Sequence, residues 1–189
     1  RTGRSFTTDP LRINCRNSRS IADAVTLASG LSPGYSRVLV EADGPEVEPL
    51  FYRNQQHQVE QLAIAVRKML KNFRPEQIVI LSMRAGAASA AANARDLVPG
   101  VSIVPFKLEA DGLAAVRYAS VHSFKGLEAP AVVVTDIEAI EDDQAKALVY
   151  VGMTRARLAL SLLMNERVRP RYSQLLMEGY RAARKDGRA

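Results

Sequence analysis

At 189 residues, with 47% apolar and 24% charged side chains, the chain has the size and composition of one globular domain with a well-buried core, which excludes wholesale disorder. Its single cysteine, Cys15, and two histidines, His57 and His122, exclude an internal disulfide and any multi-cysteine metal site. The net charge of +6 sits at the ends, +4 over residues 1–20 and +4 over 165–189 with −2 between, a distribution that suits a polyanion such as nucleic acid.

Apolar runs alternate with helical periodicities along the chain, the pattern of an α/β domain with a largely parallel sheet. Residues 18–30 read as a helix, with Ile21, Val25, Ala28 and Leu31 on one face and Ser20 with Asp23 at capping-box spacing. Val47 to Tyr52 reads as a strand. Residues 55–73 give the clearest helix, its stripe running from Val59 through Leu62, Val66 and Met69 to Phe73 before Pro75 stops it. A short buried strand is expected over Ile78 to Ser82, an Ala-rich helix over Ala85 to Leu97, and strands over Val101 to Val104 and Ala115 to Val121. The β-branched run Ala131 to Asp136 is expected to be a central strand buried on both faces. The acidic residues that follow, Glu138, Glu141, Asp142 and Asp143 together with Asp136, read as the start of a helix over 142–153 in preference to a metal site, because carboxylates complement the macrodipole. Leu158 to Met164 completes the strands and Pro170 to Arg184 reads as a closing helix, with a frayed basic tail at 181–189. No apolar run reaches ~18 residues and the N-terminal RTGRSFTTDP lacks the apolar centre of a signal peptide, so a cytoplasmic protein without a membrane partner is expected. With no initiating Met, the chain is expected to be a segment of a longer polypeptide.

Three stretches carry chemistry: INCRNS at 13–18, VHSFKGLE at 121–128 and YVGMTRAR at 150–157. The last two set small, polar and charged residues against a β-type segment, where an α/β sheet is expected to present its ligand-binding edge. A planar guanidinium such as that of Arg16 or Arg155 stabilises phosphate charge through paired donors, although taken alone each residue reads better as a surface ion-pair partner. Gly126 gives the backbone a flexible position near a ligand, and Glu128 can accept from hydroxyl groups. Gly152 inside a helix costs roughly 1 kcal/mol against Ala, which points to a close helix contact or a functional bend. Thr154 is placed to bond the backbone and fix the direction of Arg155.

In this order and at this spacing the three stretches resemble motifs IV, V and VI of the UvrD/Rep-type superfamily-1 DNA helicases. No G-x-x-x-x-G-K-[ST] phosphate loop occurs in the chain. The family keeps that loop on its first RecA-like domain, so the resemblance implies that residues 1–189 form the second one. The implied fold is a RecA-like, three-layer domain of the P-loop NTPase type with a largely parallel sheet and no phosphate loop of its own. It also implies ATP and Mg2+ held mainly by the N-terminal RecA-like domain of the same polypeptide, with single-stranded DNA as a further partner. Residue by residue, it gives Arg16 and Arg155 catalytic roles at the γ-phosphate, Glu128 to the nucleotide sugar and Gly126 to the phosphate end of the cleft. Lys125 is left between the γ-phosphate and a nucleic-acid phosphate. Ser120, in place of the usual threonine, and His122 match residues that touch DNA. Cys15 stands where the family stacks an aromatic ring on adenine, and Phe124 replaces the commoner alanine, where packing beneath the motif is its expected role. The implied function is an ATP-dependent DNA helicase or translocase, the isolated chain being inactive. A helicase-like ATPase linked to a nuclease and a non-catalytic α/β interaction module are the alternatives.

Overall fold

The β-branched run forms the middle of the strand around which the molecule is built. In the computed structural model, which describes residues 13–29, 35–94, 98–107 and 114–185, this strand is β7 (Ala129–Ile137). With β3 (Pro49–Tyr52), β4 (Ile78–Ser82), β5 (Ser102–Pro105), β6 (Ala115–Ser120) and β8 (Ala156–Asn165) it makes a six-stranded sheet in the order β3-β8-β7-β4-β6-β5. Every pairing in it is parallel. Successive side chains of a strand point to opposite faces, so a strand apolar throughout feeds two cores. Val132 and Val134 face α1 (Arg19–Ser29), α3 (Asp143–Met153) and α4 (Arg169–Lys185), whereas Ala131 and Val133 face α2 (Gln55–Met69) and the turn around Ala90. The result is the expected three-layer α/β architecture.

Helix starts follow local capping. Asn54 accepts the His57 N–H (2.9 Å) at the head of α2, and Asp142 accepts the Ala145 N–H (2.7 Å) at the head of α3, each satisfying a donor the first turn leaves unpaired. The acidic run is therefore split. Asp142 and Asp143 belong to the helix start, while Asp136 ends up buried elsewhere.

Several boundaries differ from the sequence reading. β3 begins at Pro49 rather than Val47, and α2 stops at Met69, with residues 70–72 forming a turn. Ser20 lies inside α1, where its hydroxyl donates to the Asp43 carbonyl (2.7 Å) instead of capping, and Leu31 lies outside the described residues. The expected Ala-rich helix is replaced by two short 3-10 turns, Gly86–Ala88 and Ala90–Asn93, with Leu97 outside the described residues. The backbone of Gly86 is left-handed (φ +59°), Ser89 caps the second turn, and the Ala90 N–H points to the Asp136 carboxylate (3.3 Å), so helical hydrogen bonding cannot run through. A parallel ladder of β1 (Ile13–Asn14) with β2 (Arg37–Val38), too short to read from pattern, lies apart from the main sheet. Helix α4 continues to Lys185, so the first residues of the expected tail are helical.

Gly179 is where α4 meets α1: a Cβ there would lie 2.8 Å from the Cα and the carbonyl oxygen of Leu27. Gly179→Ala is expected to destabilise the chain by about 1–3 kcal/mol in urea unfolding, because overpacking against backbone outweighs the gain in helix propensity of about 1 kcal/mol.

Candidate functional site

Asn17 is 2% exposed, and its amide nitrogen donates to the carbonyls of Ala156 and Thr154 (the latter at 3.4 Å). Asn14 locks the preceding turn, donating to Asn17 Oδ1 (2.9 Å) and accepting from the backbone N–H of Arg16 and Asn17 (3.0 and 2.9 Å). The Ser18 N–H then donates to the Arg157 carbonyl (2.7 Å). Buried polar groups hold only when paired, and here the pairing fixes residues 14–18 against the turn between α3 and β8, from which Arg155 projects.

The consequence is an arginine cluster around one carboxylate. Glu128 accepts from Arg16 Nε (3.0 Å) on one oxygen and faces Arg157 Nε (3.7 Å) with the other. Arg155 donates through Nε to the Val151 carbonyl (3.1 Å) and through a terminal nitrogen to the Leu127 carbonyl (3.3 Å). Burial, and then the neighbouring Arg16 charge, lower the pKa of Arg155, against the opposing pull of Glu128. Thr154 Oγ1 donates to the same Val151 carbonyl (3.0 Å), so the helix end and the guanidinium share an anchor. A Cβ on Gly152 would sit 3.3 Å from Val134 and 3.5 Å from Val121, which is the close contact its mid-helix position suggested. Beside the cluster, the Tyr35 phenol is pushed up to about 12 by burial and by its hydrogen bond with Tyr150, while Cys15 is exposed.

Arg16, Arg155 and Glu128 are thus brought together, and Arg157 joins them. Sequence reasoning missed Arg157, although it closes the T-R-A-R run. These residues lie at the amino ends of β7 and β8, not at the carboxyl edge where both late stretches were expected to present ligands. The segment 121–128 explains the difference. It leaves β6 after Ser120 at the carboxyl edge, crosses β4, and enters β7 at Ala129 at the amino edge. Phe124 (2% exposed) packs beneath it, edge-on to Phe106 with ring centroids 5.2 Å apart, as expected of a packing residue. Gly126 is exposed with φ +87° and open space where a Cβ would point, so the turn needs glycine for its backbone and not for room. Lys125 and His122 are exposed on the same turns. Ser120 hydrogen-bonds the Ser123 hydroxyl (2.8 Å) at the other end of the crossing, so Ser120 and His122 share no cluster with the arginines.

At the carboxyl edge Asp136 (4% exposed, φ +62°) gathers three elements: its carboxylate accepts from Ser82 Oγ of β4 (2.6 Å), Gln58 Nε2 of α2 (2.8 Å) and the Ala90 N–H. A left-handed aspartate is uncommon, and here the three bonds hold it. Asp136→Ala is expected to cost about 2–4 kcal/mol in denaturant unfolding, since it strands three donors in the interior, whereas Asp136→Asn retains an acceptor and costs less.

Residues 115–163 match the family model of the UvrD-like helicase C-terminal domain. Over this segment the chain is similar to that domain. The matched segment holds all of β6 to α3 and most of β8, and with them Ser120, His122, Glu128 and Arg155. Among solved structures, the C-terminal domain of a possible DNA helicase from Lactobacillus plantarum is 18% identical, with a TM-score of 0.59, over 80% of this chain and 87% of that one. At that identity the likeness is one of fold. The Arterivirus nonstructural protein 10 (helicase), solved in complex with DNA, aligns with 90% of this chain and 29% of its own at 18% identity and a TM-score of 0.35. No curated protein matches the sequence.

Proposed function

We propose that this UvrD-like domain is the second motor domain of an ATP-dependent DNA helicase or translocase, acting across a cleft on ATP held by a phosphate-loop RecA-like domain of the same polypeptide. The observation that carries the reading is the pairing of Arg16 and Arg157 with the single carboxylate of Glu128, with Arg155 held beside them by the Val151 and Leu127 carbonyls and close enough to feel the Arg16 and Glu128 charges. Three guanidiniums against one carboxylate leave a cationic face, which fits a polyphosphate. In this reading magnesium is held by the partner domain. When bound, ATP and its metal supply the phosphoryl chemistry. This chain's part is to place charge: Arg155, steered by the Val151 and Leu127 carbonyls, and Arg16, anchored through its own backbone to Asn14, face the γ-phosphate. Glu128 turns from Arg16 to the ribose hydroxyls, with Arg157 retaining its second oxygen, and Gly126 and Lys125 border the phosphate end. Single-stranded DNA passes the far end of the crossing segment at Ser120 and His122. No helix among the described residues is long and apolar enough to cross a membrane.

Assayed alone, the chain is expected to hydrolyse no ATP. Assayed with the phosphate-loop domain, Arg155→Lys keeps the charge and loses the planar fork, and kcat for ATP is expected to fall at least roughly tenfold, about 1.4 kcal/mol of transition-state stabilisation. An arginine finger is worth about 10³–10⁵ in GTPases, and sharing the phosphate with Arg16 makes the loss smaller here. Unchanged turnover, or a loss that merely tracks unfolding, rejects the catalytic role. His122→Ala is expected to weaken DNA stimulation of that ATPase while leaving nucleotide binding in place, measured by titrating single-stranded DNA into steady-state assays. DNA binding itself should be insensitive to sequence and fall steeply with salt, as phosphate contacts dictate.

A further inference from the structure

Arg16, Glu128 and Arg155 come from three distant stretches, yet each lies at, or one residue from, a single backbone junction. The carbonyls of residues 154–157 all accept from the two other stretches. The Arg155 carbonyl takes the N–H of Ala129, next to Glu128 (3.0 Å), and the Arg157 carbonyl takes the Ser18 N–H (2.7 Å). The carbonyls on either side of Arg155 both accept from the side-chain amide of Asn17, next to Arg16: that of Ala156 closely, and that of Thr154 at 3.4 Å. Two of these four links are backbone to backbone and do not depend on residue type. The other two belong to one buried side chain, and they span 137 and 139 residues of sequence.

The chemistry of the junction calls for a carboxamide. Carbonyl oxygens are acceptors only, so the Asn17 amide nitrogen must face the two of them, and its oxygen then accepts from Asn14 Nδ2 (2.9 Å). Aspartate has the same shape without the donors and would set a negative charge against two carbonyls. Leucine would leave both unpaired, and serine brings a single donor. The Arg155 guanidinium bonds only main-chain carbonyls, those of Val151 (3.1 Å) and Leu127 (3.3 Å), so its direction follows from where its own backbone lies. Arg16 has a separate anchor, its N–H on Asn14 Oδ1 (3.0 Å). We infer that Asn17 is a positioning residue: by holding the carbonyls on both sides of Arg155, it sets where that guanidinium stands at the γ-phosphate. This rests on the reading of Arg155 as a γ-phosphate group and adds the residue that aims it. A misplacement of about 1 Å can cost about 10²-fold in rate, so a buried amide that touches no substrate atom can govern kcat.

The test has two readouts. In the full chain the Arg155 Nε–H is followed by NMR, and Asn17→Ala is expected to shift its resonance and speed its exchange with solvent at least about fivefold. Assayed with the phosphate-loop domain, the same variant is expected to lower kcat for ATP roughly tenfold while KM stays within about twofold of the parent. Asn17→Asp, with the shape but not the donors, is expected to fall at least as far. Asn17→Ser keeps one donor and moves both readouts less, and it carries the test if urea unfolding shows Asn17→Ala unfolded. Gly179→Ala strains the α1–α4 contact and not this junction, so it controls for lost stability and is expected to move neither readout. If folded Asn17→Ala matches the parent in either readout, or Gly179→Ala moves both as far, the inference is overturned and the motor reading stands. Parental turnover by Asn17→Asp overturns it too, since shape and not donation would then suffice. If the parent hydrolyses no ATP beside the phosphate-loop domain, the motor reading itself fails and takes this inference with it.

Discussion

In a parallel sheet every connection leaves a strand at the carboxyl edge and must return to the amino edge before the next strand begins. Between β6 and β7 that return is made by eight residues, 121–128, with β4 lying between the two strands. The distance along the sheet is about 20 Å at roughly 3.3 Å per residue, so the link cannot be a loose loop. It is a strap, held down by Phe124 beneath it and turned at Gly126. The two ends of this strap are Ser120 at the carboxyl edge and Glu128 at the amino edge, the two regions to which the proposed function assigns contacts.

That geometry gives the proposed motor a direct physical link. The segment that joins Glu128 to Ser120 has its middle packed into the core through Phe124, and cores are close-packed. Phe124 is in edge contact with Phe106.

The polar groups at the two edges differ in burial. At the carboxyl edge the Asp136 carboxylate is buried and fully engaged, which suits a structural pin. At the amino edge Arg16, Glu128 and Arg157 are 46%, 42% and 55% exposed in their side chains, and pairs that exposed contribute little to stability. The buried part of that edge is the Asn14–Asn17 network, which holds the backbone from which Arg16 projects.

The periodicity of the chain determined much of this by itself. A β-branched run from 131 to 136 can only be comfortable buried on both faces, the 55–69 stripe can only cover a core as a helix, and Asp142 caps because its short side chain reaches the third residue on. The three stretches that hold Arg16, Glu128 and Arg155 were also legible, because their residue types and order are written in the sequence. Strand register, and with it the edge on which each end of 121–128 falls, was decided only in the tertiary structure, since crossing β4 depends on which strand lies between β6 and β7. The same holds for the Ala-rich segment after β4. Alanine favours a helix locally, but the Asp136 carboxylate, 46 residues away, takes the Ala90 N–H, and no local pattern can announce a hydrogen-bond acceptor that distant.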